Sequence, residues 1–175
     1  MSTIQEILKL KEKPKQKLIL LAKTLTEEKS AMNELINCFD KVSDSEKGYL
    51  MEAVEYVTKE NPKFAKNCLD FIIAHINDKA PRIKWEACRI IGNVAQKFPD
   101  EVKEALPKLL ENTRDKGTVV RWSAAFALTE IAKSNPELQK ELTAKFSEIV
   151  KKESNKGVRN IYLKYLKNFD RGGVL

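Results

Sequence analysis

Glycine and proline are scarce in this chain, six of each in 175 residues, and that scarcity argues against a turn-rich sheet protein. Histidine occurs once, at His75. The three cysteines, Cys38, Cys68 and Cys88, are odd in number and far apart, so they form neither a disulfide framework nor a C-x-x-C metal knuckle. They read as buried, reduced thiols. The longest apolar run is Leu18 to Ala22, far below the ~20 residues of a membrane span. Residues Met1 to Glu6 lack the charged-then-apolar plan of a signal peptide, and the cytoplasm is the expected compartment. Glycine-rich nucleotide loops are missing, as is any Ser or Cys nucleophile beside a base in a readable motif. Paired acids such as Glu27 with Glu28 and Asp100 with Glu101 sit at helix starts, where the helix dipole explains them. No catalysis, cofactor or metal is therefore expected.

What is present is charge and helical periodicity. Charged residues make up 33% of the chain and apolar ones 42%, the balance of a single all-helical domain with its own core. The net charge of +7 is unevenly placed. Residues 1–25 hold six Lys against two Glu, residues 26–143 hold 18 basic against 20 acidic groups, and residues 144–175 hold eight basic against three acidic. The basic excess thus lies at the two ends, and basic ends of this kind can meet anionic surfaces.

The chain also repeats itself. Pro62, Pro99 and Pro136 are 37 residues apart, as are Asp78 and Asp115, and Trp85 and Trp122. On that spacing Asp78–Ala95 matches Asp115–Ala132 in residue class, with fainter copies at Lys47–Val57 and Asn155–Arg159. Each unit reads as two helices about an Asp-Lys turn, because apolar residues recur at helical spacing on both sides. In the fourth unit Val102, Leu106, Leu109, Leu110 and Thr113 stripe the first helix, and Val120, Ala124, Ala127, Leu128 and Ile131 the second. Each boundary proline suits the first position of a helix. Small residues in the second helices, Ala87, Cys88, Ala124, Ala125 and Ala127, permit close stacking of neighbouring units. The predicted organisation is one domain over 1–168. It consists of capping helices in 1–25, repeats over 26–61, 62–98, 99–135 and 136–168, and a flexible tail over 169–175.

The string Val120, Arg121, Ala124, Ala125 and Leu128 after Asp115 resembles the HEAT-repeat signature of the armadillo-type α-solenoids. That resemblance implies an all-α, right-handed α-α superhelix of four to five HEAT-like helix pairs. It also implies a structural ladder in which turn acids pair with basic residues of adjacent repeats, from Asp78 and Lys84 to Asp115, Arg121 and Arg159. A tetratricopeptide array is disfavoured by its shorter period of about 34 and its different Trp-x-x-Leu-Gly-x-x-Tyr pattern.

If the apolar stripe of each second helix faces the core, the opposite face forms an inner strip. That strip contains Glu52 and Tyr56, then Glu86, Arg89 and Asn93, then Ser123, Phe126 and Glu130, and last Lys164 with Lys167. Phe126 reads either as an interface anchor or as a ring packed sideways on a neighbouring repeat. Trp85 and Trp122 read as packing at repeat junctions or as ring edges offered to a ligand. The mixed signs along the strip suit a protein or peptide partner and a scaffold or adaptor role. The competing reading is a nucleic-acid binder related to the alkylpurine DNA glycosylases. It requires Lys84, Arg89, Arg121, Arg159 and Lys164 to share one exposed groove. The oligomeric state is left open.

Overall fold

The computed structural model describes residues 3–172, all of whose regular structure is helical. Among them run α1 (Ile4–Lys9), α2 (Pro14–Glu27), α3 (Ala31–Phe39), α4 (Asp44–Glu60), α5 (Leu69–Ala74), α6 (Pro81–Val94), α7 (Leu106–Asn112), α8 (Thr118–Ser134), α9 (Pro136–Lys152) and α10 (Lys156–Asp170). Two 3-10 segments, Pro62–Asn67 and Glu101–Ala105, precede α5 and α7.

Local chemistry sets the helix starts. Thr3 with Glu6 and Ser43 with Glu46 form reciprocal capping boxes for α1 and α4, and Asn155 caps α10. A capping side chain satisfies one of the otherwise orphaned N–H groups of the first turn. Proline opens α2, α6 and α9, where its missing N–H costs nothing.

Pro99 is not the helix opener the sequence predicts. The first helix of that repeat is a 3-10 segment followed by the short α7, not one continuous helix. Pro107 accounts for the break: inside one long helix it would remove a hydrogen bond and clash with the carbonyl four residues back, whereas in the first turn of α7 it does neither.

The even-numbered helices stack in order, α2 on α4, α4 on α6, α6 on α8 and α8 on α10, with the odd-numbered helices packed against them. One apolar cluster runs nearly the whole length, from Ile4 and Leu21 through Leu50, Ile90 and Leu128 to Phe146 and Tyr162. Burying each such aliphatic side chain is worth about 1.5–3 kcal/mol. All three cysteines are buried thiols. The tail expected from residue 169 begins inside α10, where Phe169 stacks on Tyr165 with ring centroids 6.2 Å apart. Residues 173–175 lie outside the described residues.

Close approach of α6 and α8 depends on Gly92. A methyl group there would meet the Phe126 ring at 2.3 Å, whereas one at Gly48 would meet only the flexible Arg82 side chain at 2.6 Å. Gly92→Ala should therefore destabilise the fold by roughly 1–3 kcal/mol through overpacking. Gly48→Ala should cost less, because Arg82 can give way by loosening its hold on Glu52 and Tyr49, and alanine favours helix. Equilibrium unfolding of the two variants checks this, and equal losses would contradict it.

Candidate partner-binding face

The turns that join the helices of a repeat also tie one repeat to the next. Asp78 accepts a hydrogen bond from the Ala80 amide (2.9 Å), and Asp115 from the Gly117 amide (2.7 Å). In the last repeat Glu153 does the same for Asn155 (2.8 Å). An acid that bonds a backbone amide two residues on folds its own turn, which explains the recurring Asp.

Two of these acids are also rungs. Lys84 Nζ reaches Asp115 Oδ2 at 2.6 Å, and Arg121 grips Glu153 through Nε (2.8 Å) and Nη2 (3.1 Å). Arg121 further donates to the Asp115 carbonyl at 2.9 Å. Burial pushes the Asp115 carboxyl up, but the Lys84 hydrogen bond and the Gly117 amide outweigh it and leave the group below its ordinary range. The Arg121 hydrogen bond likewise holds Glu153 low, and Glu153 raises Arg121 in return.

Asp78 and Arg159 are not rungs, contrary to the ladder the resemblance implies. The Asp78 carboxylate bonds His75 Nδ1 at 3.2 Å, while Lys47, which stands one period before Lys84, pairs with Asp44 and lies over the Phe39 ring. Arg159 is exposed because the position one period after Arg121 is Val158, a core residue. The one-residue slip turns Arg159 outward.

The inner strip is placed only in part as expected. Tyr56 and Lys164 are exposed, and Glu52 is half-buried. Glu86 and Ser123 are buried, a correction with a plain cause: they stand at equivalent positions one period apart, angled toward the neighbouring helix of the inner layer. Burial lifts the Glu86 carboxyl to about 7, although Trp85 Nε1 donates to it at 2.9 Å and Arg89 lies 3.7 Å away. Its second oxygen has no hydrogen-bond partner.

Arg89 is shared with Glu55 at 3.3 Å, Asn93 donates to the Glu55 carboxylate at 3.2 Å, and Glu130 accepts from Lys133 at 2.7 Å. Phe126 lies over Gly92 and stacks on Trp122, with centroids 6.1 Å apart and planes at 23°. Trp122 itself is 41% exposed. Leu163, also 41% exposed, was missed in the sequence. The signal was available, since it lies one period after Phe126.

The candidate face is therefore a row of exposed or half-exposed apolar groups, Tyr56, Val119, Trp122, Phe126 and Leu163, on α4, α8 and α10. Internally paired charges flank it. Lys84, Arg89 and Arg121 are engaged with acids, so the five basic residues tied to the nucleic-acid reading do not form one free groove. A separate cleft of about 720 Å³ opens between α7 and α9, with Leu110 and Ile149 on its walls and the Arg121–Glu153 pair within it. The described residues hold no cluster of three or more metal-ligating side chains. None of their helices is long and apolar enough to cross a membrane.

Residues 81–131 match the family described as HEAT-like repeat. Among solved structures, a designed armadillo repeat protein in complex with the peptide (KR)4 superposes with a TM-score of 0.72 at 18% identity, covering 93% of this chain and 78% of its own. A computationally designed armadillo repeat protein for modular peptide recognition gives 0.69 at 16%, covering 94% and 79%. An engineered protein gives 0.70 at 19%, covering 97% and 80%. At these identities the likeness is one of fold. No curated protein matches the chain.

Two outcomes follow from this geometry. Asp115→Ala and Arg121→Ala should each cost roughly 1–3 kcal/mol, since each leaves a charged group without its partner. A wild-type melting temperature would remove the rungs from the account. Glu86, with its folded pKa raised to about 7, favours the folded state fully below its unfolded pKa and loses that contribution as pH rises through 7. Glu86→Gln should therefore be more stable than wild type at about pH 8, by roughly 1–3 kcal/mol, with the difference shrinking as pH falls and vanishing below about pH 4. Asp115 and Glu153, whose folded pKa values are lowered, act oppositely and lose their contribution only at acid pH.

Proposed function

On the premise that this chain is a repeat protein of the HEAT and armadillo type, we propose that it is a non-enzymatic scaffold holding an extended segment of a protein partner along its inner face. The observation that carries this reading is the exposed apolar row on the stacked inner helices. Large aromatic and aliphatic groups are left uncovered on the adjacent helices α8 and α10, with Tyr56 set apart on α4 across α6. Exposed apolar groups gathered on one face are of the kind that marks interaction sites. Trp122, backed by Phe126, has the character of a hot-spot anchor, rigid and amphipathic. Support comes also from the fold neighbour that holds the peptide (KR)4. The charges beside the row are of both signs and already paired, Arg82 with Glu52, Arg89 with Glu55 and Lys133 with Glu130. A partner of mixed polarity fits that setting better than a phosphate backbone, which asks for free cations.

The test is selection of binding peptides from a displayed random library on the purified chain, followed by affinity measurements on Trp122→Ala and Leu163→Ala. Leu163→Ala should stay close to the wild-type melting temperature, and Trp122→Ala should lower it modestly through loss of the Phe126 stack while remaining folded. Each should bind selected peptides roughly tenfold more weakly. Selected peptides that bind both variants at wild-type affinity would place the interface elsewhere. Oligonucleotide binding that falls steeply with salt and ignores both substitutions would favour the nucleic-acid reading.

A further inference from the structure

The inner face does not account for a second set of uncovered apolar side chains at the other end of the molecule. Leu10, Ile19 and Leu20 are between 38 and 47% exposed, three of the seven large hydrophobic residues so exposed among the described residues. All three fall within the hairpin made by α1 and α2.

Helix α2 explains the pattern. Its buried residues Leu21, Ala22 and Leu25 turn toward α3 and α4, and Lys17 lies over the Tyr49 ring of α4. The opposite face reads Lys15, Gln16, Ile19, Leu20 and Lys23, all exposed. Lys15 and Lys23 stand one turn before and after Ile19, about 6 Å along the axis in each direction. Lys11 and Lys13, in the turn before α2, are exposed as well. None of these four lysines takes part in an ion pair of the described residues. One acid, Glu12, stands among them.

We propose that this face of the α1–α2 hairpin docks on an anionic lipid surface, with Ile19 and Leu20 entering the headgroup boundary and Lys11, Lys13, Lys15 and Lys23 meeting the lipid phosphates. Three considerations select that occupant. A helix with aliphatic side chains on its solvent face and lysines one turn away on each side has the layout of a helix lying in a membrane interface. Its lysines have long stems that reach sideways to headgroups while the aliphatic residues insert. A protein partner is disfavoured because protein interfaces are enriched in aromatic residues and Arg and depleted in Lys, the reverse of what stands here. A nucleic acid would gain nothing from Ile19 and Leu20, which offer no ring for base stacking. The absence of a long apolar helix restricts the described helices to lying on the surface rather than crossing it.

Flotation of the whole chain with vesicles of phosphatidylcholine alone, and of phosphatidylcholine mixed with phosphatidylserine, tests the proposal. Binding is expected to the anionic vesicles only, and to weaken as salt rises. Since each lysine near such a surface multiplies binding about fivefold, Lys11→Gln, Lys13→Gln and Lys15→Gln together should reduce it about a hundredfold. The pair Ile19→Ser and Leu20→Ser should reduce it at least about tenfold while the chain stays folded, because both side chains stand on the solvent face of α2, outside the core. Failure to bind anionic vesicles at low salt overturns the proposal, as does equal binding to phosphatidylcholine alone. Binding unchanged in the Ile19 and Leu20 pair overturns it too. So does a polyglutamate or oligonucleotide probe that binds the same lysines more tightly and is indifferent to that pair. Peptide binding on the inner face is read separately through Trp122 and Leu163, so either reading can fail without the other.

Discussion

Everything in this molecule depends on how closely the inner helices approach one another. No repeat here has enough apolar surface to enclose a core by itself. It completes its core with its neighbours, as quasi-one-dimensional repeat proteins do. Between α6 and α8 the approach is set by small residues, Ala87, Cys88 and Gly92 on one helix and Ala124, Ala125 and Ala127 on the other, all buried. Phe126 fills the space that the missing Gly92 side chain leaves. The same contact aligns Trp122, which stacks on Phe126, so packing between repeats and the shape of the exposed face are one decision made twice over.

Polar groups then fix the register that apolar packing leaves loose. Asn112 donates to the Ile76 carbonyl at 2.7 Å and Lys108 to the Ile73 carbonyl at 2.9 Å, joining outer helices across a repeat boundary. Lys84 with Asp115 and Arg121 with Glu153 do the same at the turns. Pairing of this kind specifies geometry more than it stabilises, because each charge gives up hydration to enter it. It also has an electrostatic consequence. Central basic residues become local partners of central acids, so the net charge of +7 is expressed chiefly at the ends of the chain and not along the inner face.

The period of 37, the pairing of helices and their stacking were legible because they are carried by Pro, Asp and Trp at fixed intervals and by small residues in the second helices. The roles of particular residues were less so, for identifiable reasons. Asp115 resembles a rung and is one, but Asp78 occupies the same repeat position and serves its own turn and His75. The difference lies in whether a cation one repeat earlier is free, and Lys47 is not. Glu153 could not be assigned by register, since the position one period after Asp115 is Lys152. The longer glutamate side chain absorbs the slip and reaches Arg121 all the same. Glu86 and Ser123 looked outward on a helical projection, but a projection carries no information about a neighbouring helix that covers the flank of the face.

The spacing of the inner layer also limits what the proposed partner segment could look like. Packed helices stand about 8–10 Å apart, and an extended chain advances about 3.3 Å per residue. One step from helix to helix along the face therefore corresponds to about three residues of an extended ligand. Trp122 and Leu163 lie on adjacent helices, so anchors reaching both would be separated by about that number, and anchors reaching Tyr56 as well would need about twice as many more. Since side chains of an extended strand alternate between faces, a three-residue step cannot be met by strict alternation alone. The segment would have to twist or kink between anchors, which places the adaptability of the complex in the ligand rather than in the tightly packed helices that receive it.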